Sequence, residues 1–167
     1  MRFTFADVMT KAEYLPRLAV AAEAAGYDGF TVPDSIAYPL ESDARYPYTA
    51  DGDRSCGHSK AALRRAATRG DGWMHAGGPN DALQCLLRKL AAYRSEAGTA
   101  RQPFEIHAIS NDARTVDGCK RLEAMGVTDV ILGFRNPYIK GPDLQSLEDK
   151  IARLERFAEK VICKVNP

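Results

Sequence analysis

The sequence predicts an α/β protein built on a mainly parallel sheet, and two observations carry that prediction. Three predicted helices end at a glycine that is followed at once by a short strand containing aspartate, at Gly26–Phe30, Gly70–Met74 and Gly126–Val130. This repetition indicates βα units joined by right-handed crossovers. The chain has 167 residues, 45% of them hydrophobic, enough for a single domain over residues 1–167 with a sizeable core. A barrel and an open doubly wound sheet both fit the pattern.

The first half of the chain predicts two strands around one helix. Residues Arg2–Val8 alternate loosely and predict the first strand. Apolar residues at helical spacing predict a helix that opens at Thr10 and stops at Gly26, and Asp28–Val32 is typical of a short buried strand. Residues 34–57 carry turn signals without periodicity, and a loop this long is unusual inside a compact domain.

The second half predicts alternating helices and strands followed by a final helix. Each helix has an N-terminal signal, a C-terminal glycine or both, and each strand is short; the strand at Pro103–Ile109 alternates apolar and polar residues, and the strand at Thr128–Phe134 is apolar. These elements are a helix at Ser59–Arg69, a strand at Asp71–His75, a helix from Pro79 to Gly98, a strand at Pro103–Ile109, a helix from Thr115 to Gly126, a strand at Thr128–Phe134, and a last helix that a capping-box pattern of Ser146 and Asp149 opens.

Composition narrows the classes of function. The 23 Lys and Arg residues nearly balance the 22 Asp and Glu residues, so no overall field favours nucleic acid or an anionic membrane. No apolar run reaches the roughly 20 residues needed to cross a bilayer, and the N-terminus lacks a signal-peptide pattern, so we expect a cytoplasmic protein. The four cysteines are far apart and predict neither a metal site nor a disulfide framework. We interpret Cys85 and Cys119 as small packing residues.

Two glycine turns that precede predicted helices form a layout typical of anion binding. Gly57 precedes Ser59, a natural N-cap, while Gly77 and Gly78 precede Pro79. A helix start leaves backbone N–H groups unpaired and carries a partial positive charge, which suits phosphate. Glycine before a helix is also ordinary turn chemistry, so both interpretations stand at this point.

Several blocks of the sequence are together similar to the bacterial luciferase-like monooxygenase family, and most of all to its deazaflavin-dependent oxidoreductases. The resemblance covers nearly the whole chain and lies in Asp28–Ser35, Tyr46–Thr49, Asp51–Arg54, Gly57–Ser59 with Ala61–Ala66, Gly70–Gly78, Phe104–His107 and Gly126–Val130. The family has a (β/α)8 TIM barrel, a fold that typically needs about 250 residues. The resemblance therefore implies a partial TIM-barrel-like fold of about five parallel strands with surrounding helices.

The segment that this chain lacks relative to a complete barrel is expected between residues 54 and 57, because the match to the family runs to about Arg54 and resumes at Gly57. The third and fourth barrel strands with their helices, and most of the fifth strand, are expected to be absent there. The retained strands would be the first, second, sixth, seventh and eighth, which are neighbours around a barrel. Their sheet would have edges at the strands of Phe30 and Trp73, and exposed edges invite pairing. We therefore expect a homodimer or larger homo-oligomer.

The resemblance also implies site residues. Asp34 matches a position that commonly lies near the cofactor ring, so it is the catalytic candidate, with a turn or N-cap aspartate as the alternative. The implied cofactor-binding residues on the phosphate side are Gly57, His58, Trp73, Ala76, Gly77 and Gly78. Trp73 is either a wall of the site or a core residue, and His58 and His75 are either phosphate donors or structural residues. No metal ligand is implied.

Two functions follow, from different classes. The first is an oxidoreductase or monooxygenase that uses a deazaflavin coenzyme or FMN on a small organic substrate, with the cofactor supplying the chemistry. The second is a truncated, non-catalytic barrel remnant that self-associates as a structural protein. Fold analogy alone does not choose between them.

Overall fold

The computed structural model describes residues 1–7, 10–32, 58–75, 77–135 and 143–167. The predictions for Asp34, Gly57, Ala76 and the long loop lie outside these residues. The described strands and helices are β1 Arg2–Ala6, α1 Leu15–Ala24, β2 Gly29–Thr31, α2 Lys60–Arg69, β3 Gly72–His75, α3 Asn80–Glu96, β4 Glu105–Ile109, α4 Val116–Ala124, β5 Asp129–Leu132, α5 Leu147–Phe157 and α6 Cys163–Val165. Short 3-10 turns precede α1 and α4, and a π-helical turn at Ala158–Ile162 continues α5.

The strands form one five-stranded parallel sheet in the order β2-β1-β5-β4-β3. In the central pairings Phe5 lies opposite Phe30, Phe3 opposite Val130, and Ala108 opposite Val130. The predicted α/β class with five parallel strands is therefore confirmed. The two edge strands, β2 and β3, are also those that the sequence predicts.

The chain divides into two compact units, residues 1–33 with 107–167, and residues 34–106. The core of the first unit lies where β1 meets α5. Phe3 packs edge-on against Phe157 with ring centroids 6.2 Å apart, and Phe5 packs against Tyr27 at 5.9 Å. The hydroxyl of Tyr27 donates a hydrogen bond to the carbonyl of Leu154 at 3.3 Å, so Tyr27 also connects the segment after α1 to α5.

The second unit is built on the packing of α2 against α3. Buried residues recur at helical spacing on both helices. They are Leu63 and Ala67 on α2, and Leu83, Leu87 and Leu90 on α3. The hydroxyl of Thr99 closes this layer by donating to the carbonyl of Ala67 at 2.7 Å. Arg64 and Arg65 lie on the exposed face of α2.

Three predicted helix starts are confirmed by their N-caps. The hydroxyls of Ser59, Thr115 and Ser146 accept hydrogen bonds from backbone N–H groups three residues later, at 3.1–3.2 Å. Side-chain acceptors of this kind satisfy donors that a helix start leaves open. Gly26 and Gly126, which follow α1 and α4, have φ values of 85° and 91°, as the predicted glycine stops require.

The interpretation of Cys85 as a packing residue is wrong. Cys119 is buried in α4 as expected, but Cys85 is exposed. The reason is its angular position on α3, where it follows Leu83 by two residues and so points away from the buried line of Leu83, Leu87 and Leu90.

Candidate functional site

His58, Trp73 and His75 form a compact group in the second unit, called here the histidine–tryptophan cluster. The imidazole rings of His58 and His75 are stacked, with centroids 4.7 Å apart and planes 15° apart. The indole of Trp73 lies 6.0 Å from the ring of His58 and 5.8 Å from that of His75. Trp73 is 6% exposed and His75 is 1% exposed, while His58 is half-buried. The cluster therefore has one accessible member.

Local structure explains why these three residues meet. Trp73 and His75 are two apart on β3 and so share one face of the strand. His58 directly precedes Ser59, the N-cap of α2, which holds the chain at the start of that helix. A Cβ placed on Gly78 would lie 3.9 Å from Nε2 of His75, so the turn after β3 passes beside the same imidazole.

The turn after β3 requires glycine at two successive positions. Gly77 and Gly78 have φ values of 98° and 126°, which L side chains rarely adopt. Pro79 then precedes α3, whose first residue is Asn80, and α3 has no side-chain N-cap. Backbone N–H groups at such a helix start can receive an anion. The structure thus brings His58 and Trp73 together and places the Gly78 turn beside His75. From the sequence alone, His75 is either a phosphate donor or a structural residue.

A second polar group, which the sequence analysis missed, lies in the first unit. The ammonium of Lys150 is 2.7 Å from Oδ2 of Asp7 and 2.7 Å from Oδ2 of Asp143. Arg135 places Nη1 3.7 Å from the same oxygen of Asp143. The Lys150 and Asp7 side chains are each 4% exposed and that of Asp143 is 6% exposed. We call these four residues the Lys150 ion cluster; its two carboxylates and two cations balance.

The Lys150 ion cluster lies at the carboxyl end of the central strands. Asp7 follows β1 directly, and Arg135 comes three residues after β5, its neighbour in the sheet. In parallel α/β folds this end of the sheet carries the chemistry. Although burial alone would raise the pKa of Asp143, its hydrogen bonds to Lys150 and the Gln145 N–H, with the Lys150 and Arg135 charges, lower it.

One signal in the sequence could have found Lys150. It lies three residues after Leu147 and four before Leu154, a spacing that puts all three residues on one face of the last helix, and both leucines are buried. A lysine at such a position needs a buried carboxylate partner. No local pattern, however, identifies Asp7 as that partner, because it is 143 positions away.

A third polar group lies at the opposite end of the strands. Asp129, the first residue of β5, is 3% exposed, and its Oδ2 accepts a hydrogen bond from the Thr4 hydroxyl at 3.1 Å. Burial raises the pKa of Asp129, an effect that the Thr4 hydrogen bond and the charges of His107 and Arg2 oppose. In such folds, side chains at the amino ends of the strands contribute to stability rather than to catalysis. We therefore regard this group as structural.

The described residues contain neither a candidate metal site nor a candidate membrane-spanning helix. Over residues 1–7, 10–32, 58–75, 77–135 and 143–167, no three His, Cys, Asp or Glu side chains are grouped so that they could hold a metal ion. Within the same ranges, no helix is both long enough and apolar enough to cross a membrane.

Comparison with known proteins identifies relatives in mycobacteria. The chain is 34% identical over 290 aligned positions to "Uncharacterized protein Rv0940c" of Mycobacterium tuberculosis, with 99% of this chain and 100% of that protein covered. The same figures hold for "Uncharacterized protein Mb0965c" of Mycobacterium bovis. The chain belongs to the family of these proteins. No protein-family model matches it, and no solved structure matches it.

The alignment with this mycobacterial family is much longer than the chain. Since 167 residues at most can fill 290 aligned positions, at least 123 positions have no residue of this chain. The alignment includes 99% of the chain and the whole of each relative, so these positions lie within the aligned region. The names of these relatives state no activity.

Proposed function

We propose that this chain is a luciferase-like oxidoreductase that binds a deazaflavin coenzyme or FMN by its phosphate-bearing tail and acts on a small organic substrate. The observation that carries the proposal is the histidine–tryptophan cluster beside the Gly77–Gly78 turn. His58, Trp73, Gly77 and Gly78 are positions that the family resemblance assigns to the phosphate side of the cofactor. His58 and Trp73 are in ring contact at 6.0 Å, and the Gly78 turn passes His75.

The strand order supports the barrel ancestry on which this proposal rests. In a closed barrel with eight strands, the second, first, eighth, seventh and sixth strands are neighbours in that order. The observed order β2-β1-β5-β4-β3 is the order these five would have. The aligned positions that the mycobacterial relatives fill and this chain does not are consistent with an internal loss of the other three.

The described residues fit the phosphate end of such a cofactor better than its ring. The two glycines let a ligand approach the backbone closely, and they lead directly into the start of α3, the positive end of the helix dipole. Trp73, by contrast, is buried against both histidines, so it suits a wall behind the ligand rather than a stacking surface. A bound flavin or deazaflavin would supply the hydride chemistry. In this proposal Asp34, outside the described residues, has the acid–base role.

Cofactor binding is the direct test. Fluorescence anisotropy of FMN and of a deazaflavin coenzyme would be titrated with the full chain and with His58→Ala and Arg65→Ala variants. Arg65 is exposed on α2 beyond the cluster and serves as the control. The proposal expects saturable binding in the micromolar range, weakened about tenfold or more by His58→Ala, a loss of about 1.4 kcal/mol or more, and unchanged by Arg65→Ala. Absence of binding by folded protein up to millimolar concentration would contradict it.

A second candidate, the self-associating non-catalytic remnant, is favoured by a different observation. The edge strands β2 and β3 carry large exposed apolar side chains at or beside the edge, with Val32 45% exposed and Met74 54% exposed. An unpaired, partly apolar edge is a template for pairing with another chain. Analytical ultracentrifugation at micromolar concentration should then give a dimer or larger species. Met74→Lys should shift the mass toward the monomer, whereas a monomeric wild-type chain contradicts self-association.

A further inference from the structure

A basic cavity lies in the first unit, apart from the residues of the proposed cofactor site. Its volume is about 190 Å³. Four cationic side chains and three apolar ones line it, and no acidic residue does. The lining residues are Arg114, Arg153, Arg156 and Lys160 with Phe134, Phe157 and Val161. We call this the basic cavity.

Two of these residues follow the carboxyl ends of neighbouring strands, and the others come from the last long helix and its continuation. Arg114 ends the 3-10 turn that follows β4, and Phe134 lies two residues after β5. Arg153 and Arg156 come from α5, and Lys160 from the π-helical turn that continues it. Ligand sites of parallel α/β sheets lie at this end of the strands.

In the part of the chain that the structure describes, none of the four cations of the basic cavity forms an ion pair with a carboxylate. Arg114 is held by a hydrogen bond from Nη2 to the Gly133 carbonyl at 2.8 Å, which fixes its guanidinium beside β5. All four side chains belong to exposed residues, so an anion in solution can reach them.

Arg153, Arg156 and Lys160 are spaced by three and four residues, so three like charges lie near one another along α5 and the turn that continues it. An anionic ligand would reduce their mutual repulsion. Lys160 and Val161 belong to the π-helical turn Ala158–Ile162. Such wide turns are rare and recur at functional sites. Here the turn contributes one cation and one apolar wall to the same cavity.

We propose that the basic cavity binds a small organic phosphate, with its phosphoryl group among the arginines and its apolar portion against Phe134. The planar guanidinium of arginine can donate two N–H groups to two phosphate oxygens. Several such donors suit a doubly charged phosphate ligand better than a ligand with a single carboxylate. A volume of about 190 Å³ suits a small ligand, and the balance of 23 basic and 22 acidic residues gives the whole chain no net charge that would attract a nucleic acid.

Isothermal titration calorimetry of the full chain tests the proposal with two probes, inorganic phosphate and phenyl phosphate. Each is titrated into wild type, the double variant Arg156→Ala/Lys160→Ala and the control Arg88→Ala, which removes an exposed cation on α3. We expect saturable binding of phenyl phosphate, at least about tenfold tighter than inorganic phosphate. The double variant should weaken it by about tenfold or more, and the control by less than about twofold; tenfold corresponds to about 1.4 kcal/mol.

The variants remove only exposed side-chain atoms, and circular dichroism verifies their folding. Equal weakening by Arg88→Ala, or no saturation with either probe, would overturn the proposal, because binding would then follow overall charge or be absent. Equal affinity for the two probes would overturn the assignment of an organic ester. His58→Ala should leave phenyl phosphate binding unchanged, so failure here is distinguishable from failure of the cofactor proposal.

Discussion

Lys150 and Asp7 form a buried ion pair whose nitrogen and oxygen atoms are 2.7 Å apart although the residues are 143 positions apart in sequence. The pair joins the first turn of α5 to the end of β1. Asp143 completes it from the other side of the ammonium at 2.7 Å. A buried lysine held by two carboxylates fixes the last helix against the central strand at the carboxyl end of the sheet.

Replacing Lys150 by methionine should destabilise the chain strongly. The substitution keeps much of the volume but leaves the buried carboxylates of Asp7 and Asp143 without their ammonium partner. Breaking a buried pair in this way costs about 3–5 kcal/mol. Urea denaturation measures the loss, and Lys164→Met, at an exposed position of α6, is the matched control. A loss below about 1 kcal/mol for Lys150→Met would mean that the pair contributes no more than a surface contact.

The lowered pKa of Asp143 predicts a loss of stability in acid. The folded-state pKa lies below the unfolded value of about 3.9. The stabilising contribution is therefore complete above the unfolded value and is lost as pH falls through the folded one. Urea denaturation at about pH 6, 4 and 3 should show the wild type losing stability most steeply below about pH 4. Asp143→Asn should be less stable at pH 6 and should have a flatter profile; parallel profiles would contradict the assignment.

Asp129 should show the opposite pH dependence. Burial raises its pKa, so the folded chain holds that proton more tightly than the unfolded chain does. Stability then falls as pH rises through the folded-state pKa, because ionisation is disfavoured in the folded chain. Asp129→Asn keeps an oxygen that can accept the Thr4 hydrogen bond and removes the titration. Its stability relative to wild type should therefore increase between about pH 4 and pH 7, as thermal denaturation at both pH values would show. A constant difference would refute this.

The buried and the exposed cysteines should differ in their reactivity toward an alkylating reagent. Burial raises the pKa of Cys119 to about 11, and the charges of Glu123 and Asp112 add to the effect while that of the N-terminus opposes it. Cys85 and Cys163 are exposed. At about pH 8, near the unperturbed thiol pKa, iodoacetamide should modify the two exposed thiols and leave Cys119 intact until denaturant is added. Mass spectrometry of peptides from a Cys56→Ser variant reads out each site. Equal labelling of Cys119 and Cys85 in folded protein would contradict the buried position.

The sheet could be predicted from the sequence because its signals are local. The glycine stops at Gly26 and Gly126 and the short apolar strands after them mark βα units, and the resemblance adds the order of the strands. The caps at Ser59, Thr115 and Ser146 were equally visible, since a cap and its N–H donor are three residues apart. Such features depend on neighbours along the chain, and the structure confirms them.

The polar groups were harder to predict because their partners are distant in sequence. Asp7 gives no local sign that it meets Lys150, and Arg114 none that it shares a cavity with Arg156. The resemblance implies His58 and Trp73 as cofactor-binding residues, so part of the histidine–tryptophan cluster can be predicted from the sequence. His75 lies in the same block as Trp73, but the sequence leaves it as either a phosphate donor or a structural residue, since one strand position does not reveal that its ring stacks on His58.

Ser146 offers the sharpest test of how local structure supports the Lys150 ion cluster. Its hydroxyl accepts a hydrogen bond from the Asp149 N–H at 3.1 Å and donates one to the Asp149 carboxylate at 2.8 Å. These bonds fix the first turn of α5, in which Lys150 follows directly. Ser146→Ala should cost about 1 kcal/mol in urea denaturation, while Ser146→Thr, which keeps the hydroxyl, should stay close to wild type.

The matched control for that cap is Ser95→Ala, at an exposed position in the last turn of α3. Its side chain caps no helix start, so the substitution should change stability by less than about 0.5 kcal/mol. If Ser146→Ala and Ser95→Ala cost the same, the hydroxyl of Ser146 adds nothing beyond its helix propensity. If the Ser146→Ala loss instead grows well beyond 1 kcal/mol and disappears in a Lys150→Met background, the cap acts chiefly by holding Lys150 between Asp7 and Asp143.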